Sequence, residues 1–214
     1  MRFLDGGYGR KTGRPHGAVL REIESYWDAL RDGRDMPMRL EVDPRGIEQA
    51  LRHAFILERM AQGLARIRIA GGLFKEIMGM DTHGMPVSSL IGISSRDGFR
   101  DVLESVFSGP ARARLSLSAE RGIGRPALTG EMILLPLRSS KGDVTRVLGG
   151  LEIDRQIGGS PRRFGLTSSF QRTLRDVHAM TPSDPASARK GPPASLPRTV
   201  STGVPHLRLV VNDT

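Results

Sequence analysis

The 214-residue chain is 38% hydrophobic and only 5% aromatic, enough apolar content for one core, and carries a formal net charge of +9. It has no cysteine, which excludes a disulfide framework, a cysteine-based zinc or iron–sulfur site and a thiol nucleophile. No apolar run approaches the roughly 20 residues that span a bilayer, and residues 1–15 lack the hydrophobic stretch of a secretory signal, so a cytoplasmic protein is expected.

The charge is unevenly placed. Residues 1–15 sum to +3 and residues 159–214 to +5, while the stretch between them is nearly neutral at +1. Two basic arms therefore flank a neutral domain. Such arms can adhere to nucleic acid or an anionic surface. Equally, they can simply stay solvated, and nucleic acid is disfavoured because no aromatics are interleaved for base stacking.

Residues 16–34 predict an amphipathic helix, with Leu20, Ile23, Trp27 and Leu30 on one stripe and Gly33 as a stop. These four residues are the candidate interaction surface, packing either on their own domain or on a second copy. Asp43-Pro44 marks a second helix start, running to about His53. Phe55 to Leu57, the Gln62-Gly63 turn and the alternating Ala65 to Ile69 read as a strand hairpin. Leu73 to Met78 is a short helix ended by Gly79, and Val87 to Ile93 is a short apolar turn. Ser94-Ser95 can cap the helix 96–108, whose stripe is Phe99, Val102, Leu103, Val106 and Phe107.

Three strands are predicted next, over 112–119, 131–138 and 145–153, the last two joined by a turn at Ser139 to Asp143. Pro136 belongs near a strand end or a bulge, since it donates nothing to a ladder. Residues 155–180 read as a linker with a marginal helix from Leu166, and 181–214 as a disordered tail. Within that tail His206 to Val211 alternates like a strand, which suits either a clasp on the domain or a docking peptide. Five short strands with helices clustered between the second and third make an α+β domain over residues 16–154.

The stretches Phe55-Ile-Leu-Glu-Arg-Met, Arg66-Ile-Arg-Ile-Ala-Gly-Gly-Leu-Phe-Lys-Glu-Ile-Met-Gly-Met and Gly84-Met-Pro resemble the first half of a PAS domain. Tyr26 to Arg31, Pro37, Asp43-Pro44 and Leu134-Leu135-Pro136-Leu137 resemble, more narrowly, single-PAS proteins of alphaproteobacteria, over roughly residues 20–154. The resemblance implies a five-stranded antiparallel sheet whose concave face, covered by short helices, encloses a small cavity. It also implies a sensory or regulatory role exercised through a protein partner, with a homodimer expected.

Candidate cavity residues are Phe55, Leu57, Ile67, Ile69, Phe74, Met78, Leu90, Phe99, Leu103, Leu115, Leu117, Met132 and Leu134. They either fill the space themselves, as close packing favours, or line a site for a small apolar ligand. No cofactor is expected: a covalent photoadduct needs a cysteine, and the 96–108 helix has no histidine for haem. His16, His53, His83, His178 and His206 show no metal-ligand spacing, and His53 reads as a capping or packing residue. No carboxylate pair, nucleophile–base set or phosphate loop stands out, so a non-enzyme is expected.

Overall fold

The computed structural model describes residues 17–154 and 156–174. Helix α1 (Ala18–Arg31) starts from Gly17 and ends at Asp32, both in the left-handed region. A 3₁₀ turn over Pro44–Ala50 replaces the expected helix, its Asp43 carboxylate accepting from the Arg45 N–H as a cap. It is kinked at Ile47, whose backbone leaves the helical region. Strands β1 (Ala54–Ala61) and β2 (Leu64–Ala70) form the hairpin. Helices α2 (Gly72–Met78) and α3 (Arg96–Ser108) follow, separated by short 3₁₀ turns at Val87–Leu90 and Ile93–Ser95. Ser95 occupies the capping position of α3, but its hydroxyl instead accepts from the Leu166 N–H at 3.0 Å.

Strands β3 (Ala111–Ala119), β4 (Leu128–Arg138) and β5 (Val144–Ile153) complete the five expected strands. A sixth, β6 (Gly165–Thr173), pairs with β3, so the sheet runs β2-β1-β5-β4-β3-β6, antiparallel throughout. This corrects the expected helix from Leu166. The four-residue spacing of Leu166 and Phe170 fits either structure, and the Ser/Thr-rich run between them is a poor helix former. Pairing also removes an open edge from β3. Pro136 sits two residues before the end of β4, opposite Val147 of β5 and beyond the last β3–β4 pair, Ala113 with Leu134. Its missing N–H therefore costs no β3 ladder bond.

The sheet is packed on both faces. On the inner face α2, α3 and the short turns lie over a cluster that includes Phe55, Leu57, Phe74, Phe99, Leu115 and Phe164. On the outer face α1 and the Pro44–Ala50 turn bury Leu20, Ile23, Trp27, Ile47, Ile133 and Leu148. Gly150 at the sheet centre permits the close approach of α1: a Cβ there would lie 2.7 Å from Ile23 Cδ1 and 2.9 Å from Leu20 Cδ2. No helix among the described residues is long and apolar enough to cross a membrane.

Candidate functional site

Twelve of the thirteen candidate cavity residues meet in the inner-face cluster: Phe55, Leu57, Ile67, Phe74, Met78, Leu90, Phe99, Leu103, Leu115, Leu117, Met132 and Leu134, each no more than 4% exposed. They pack on one another, as in the edge-to-face contact of Phe55 and Phe74 with centroids 5.0 Å apart. Phe164 belongs to the same core, with Leu73 and Ile77 of α2 and Val102, Val106 and Phe107 of α3, and of these the sequence reading missed Phe164. Phe164 is an isolated aromatic between Arg163 and Gly165, in a stretch that otherwise reads as linker.

Ile69 is the exception. Opposite Leu57 stands Ile67, but opposite Ile56 stands Ile69, so β2 carries one extra residue at Arg68. Such a bulge reverses the alternation and sends the following side chain to the other face. Ile69 is 56% exposed there and lines an apolar groove with Val42, Ile47, Leu51, Ile56 and Leu148. The groove has a volume of about 250 Å³ and is open to solvent beside the exposed Leu51.

The stripe of α1 is committed to its own sheet. Leu20, Ile23 and Trp27 are fully buried in the outer-face cluster, with Leu30 half-buried. Of the two packing alternatives open to this helix, the described fold adopts the first. Ion pairs fasten the polar side of α1: Arg112 of β3 reaches Asp28 at 3.3 Å and Glu24 at 3.6 Å. Arg114 bridges Glu24 at 2.9 Å and Glu131 at 3.0 Å. Tyr26 adds a tie, its hydroxyl donating to the Asp43 carbonyl and accepting from the Asp43 N–H.

Beside the groove, Glu58 on β1 gathers Arg66 and Arg146 at 2.6 Å and Arg68 at 2.9 Å. Burial works against its charged form, yet the Arg66 hydrogen bond and the charges of Arg146, Arg66 and Arg68 outweigh it and hold the carboxyl below its ordinary value. Glu104 of α3 is lowered likewise, by the Ser108 hydroxyl first, against burial, and then by the Gly63 N–H and Arg59. These carboxylates are structural clamps: each is already satisfied by its partners. The histidines behave similarly. His53 Nδ1 lies 2.9 Å from the Leu151 carbonyl, and His83 Nδ1 lies 2.8 Å from the Arg68 carbonyl. No group of three His, Cys, Asp or Glu side chains suited to a metal occurs among the described residues. The first basic arm, the part of the second beyond residue 174, His16, His178 and the His206 to Val211 segment lie outside the described residues.

No curated protein matches the chain. Among solved structures it is similar to the light state of the blue-light photoreceptor aureochrome 1 LOV domain, with 17% identity over 52% of this chain and 88% of that one, TM-score 0.38. It is similar also to an RNA-binding light-oxygen-voltage receptor, with 18% identity over 68% of this chain and a TM-score of 0.37, and there it spans only 36% of the other chain. Overlaps this partial carry neither a function nor a ligand across. The family model is more extensive: the model described as a PAS domain matches residues 16–152, from the residue before Gly17 through nearly all of β5. With the hairpin, the small helices, α3 and the three following strands all inside that match, this chain belongs to the PAS domain family.

Proposed function

We propose that the chain is a regulatory module that works by contact with another protein, and that the groove at Ile69 is where the partner inserts an apolar side chain. The observation that supports this is the contrast between the faces. The inner face, where a PAS domain would hold a ligand, is filled by its own side chains, while the exposed large apolar residues Leu51 and Ile69 line an open recess on the outer face. Exposed apolar patches beside a charged rim mark contact sites, and the rim here is the Glu58 and Arg66, Arg68, Arg146 cluster. A volume of about 250 Å³ suits one or two side chains better than a bulky prosthetic group. The reading is of a non-catalytic, cytoplasmic signalling protein.

The test is site-specific photocrosslinking in cells, with the photoreactive residue at position 69 of the full chain. One discrete partner should be captured, and Leu51→Arg, which places a charge at the mouth of the groove, should abolish the capture without lowering the unfolding midpoint. Capture that survives Leu51→Arg, or none at all, overturns the assignment. Native mass spectrometry addresses the apolar-ligand alternative: a reproducible added mass lost on denaturation would place regulation in a bound small molecule instead.

A further inference from the structure

The chain from 156 to 164 returns along the domain before laying β6 on the free edge of β3, and in doing so it brings Arg162 and Arg163 against the β3–β4 loop, which carries Arg121 and Arg125. The loop is held by reciprocal backbone bonds, Gly122 N–H to the Arg125 carbonyl at 2.8 Å and Arg125 N–H to the Gly122 carbonyl at 2.9 Å. The Gly159 N–H donates to the Gly124 carbonyl at 2.8 Å and joins the two segments. The result is an open cleft of about 480 Å³ lined by four arginines, with Ser118 and Glu120.

Arg162 is only 2% exposed. Its guanidinium donates to the carbonyls of Ile157, of Pro126 at 2.7 Å and of Glu120 at 3.1 Å. None of the four arginines forms an ion pair among the described residues. Elsewhere the domain compensates its arginine clusters with carboxylates: Glu58 for Arg66, Arg68 and Arg146, and Glu24, Asp28 and Glu131 for Arg112 and Arg114. A nearly buried guanidinium balanced only by carbonyl dipoles, with like charges around it, stands out from that pattern. Burial first, and the neighbouring charge of Arg125 second, push its pKa down. Carbonyl bonds also fix the plane of the Arg162 fork, which prepares an arginine for an oxyanion at low entropic cost.

The geometry points to this cleft as a binding site for a small phosphate-bearing anion, held by Arg121, Arg125 and Arg163 over the buried charge of Arg162. The phosphate oxygens would supply the negative charge that the protein withholds, through charge-assisted bonds from the exposed arginines. Glu120 is the one carboxylate in the wall and would oppose binding. The site is separate from the groove at Ile69 and stands or falls independently of the partner reading.

The full chain, ¹⁵N-labelled, is titrated at constant ionic strength with inorganic phosphate, pyrophosphate and a nucleoside monophosphate, the free nucleoside serving as the uncharged control. Saturable shifts are expected at the Gly122, Gly124 and Gly165 amides, with pyrophosphate tighter than phosphate and no response to the nucleoside. The Arg121→Gln/Arg125→Gln double variant should weaken binding at least about tenfold while Glu120→Gln tightens it, because the first removes charge-assisted bonds and the second removes the opposing negative charge. Arg162 is left intact because its carbonyl bonds also hold the loop. Shifts that fail to saturate, that map away from these glycines, or that persist unchanged in the double variant overturn the site. So does a polyglutamate peptide that saturates these amides when phosphate does not, since the cleft would then dock an acidic partner.

Discussion

The indole N–H of Trp27 donates to the main-chain carbonyl of Pro136 at 2.9 Å, across 109 residues of chain and inside the outer-face core. This bond fixes the rotation of α1 on the sheet. Stacking of Arg31 over the indole, with its guanidinium carbon 5.8 Å from the ring centre, covers the same ring.

Trp27→Phe keeps most of the ring and removes the donor, leaving the Pro136 carbonyl buried without its partner. The expected loss is about 1–3 kcal/mol in urea unfolding. Trp27→Ala adds a cavity and should cost about 3–5 kcal/mol. Sedimentation of the Phe variant should match the parent protein, since the face it alters is already covered. A change in assembly state would mean that the stripe also serves a second copy.

The seat of α1 on Gly150 gives a sharper test, because there the limit is steric. A methyl group at that position meets Ile23 and Leu20, so Gly150→Ala should destabilise by about 1–3 kcal/mol through overpacking. Pairing it with Ile23→Val, which shortens the nearest side chain, should recover part of the loss. A double-mutant cycle measures the coupling, and strict additivity would mean that α1 does not press on this point.

Much of this architecture is legible in the sequence because local and global signals agree. Helix α3 falls on the residues its apolar stripe marks, Arg96 to Ser108, and β3 keeps the alternation of buried and half-buried residues that Leu115 and Leu117 mark along its whole length. Failures occur where tertiary structure decides. The alternation of Ile67 and Ile69 predicts one shared face, and only the bulge at Arg68, set by pairing with β1, separates them. Strand β6 is invisible to periodicity because its reason for being a strand is the open edge of β3. The arginine cleft escapes for a topological reason: 42 residues separate Arg162 from the Glu120 carbonyl it bonds.

A packed inner face predicts a particular response to truncation. Leu103 of α3 is 1% exposed in the middle of the core, so Leu103→Ala should cost about 2–5 kcal/mol and leave a dry apolar void. Small apolar probes such as benzene should then raise the unfolding temperature of the variant and leave that of the parent unchanged, because only the variant has room. Equal stabilisation of both would reveal space for a ligand already present in the parent core.

Glu58 sets the acid side of the stability profile. Its folded pKa lies below the ordinary 4.5 because Arg66, Arg146 and Arg68 outweigh the burial that opposes its charge. A carboxyl depressed in the folded state binds protons more weakly there than in the unfolded chain. Its contribution is therefore complete above the unfolded value and is lost as pH falls through the folded one. Glu104 and Glu41 have the same sign, Glu41 through the Met38 N–H first and then Arg34, against a smaller burial effect. Stability should decline as pH falls below about 5 and these clamps protonate. Glu58→Gln should cost about 1–2 kcal/mol near neutral pH by leaving three arginines without their shared carboxylate, and progressively less as pH falls through the folded value, where the parent loses the same interaction. Urea midpoints for both proteins across that range decide it: parallel curves would mean that Glu58 contributes no pH dependence, and curves that converge toward acid pH would assign it to this cluster.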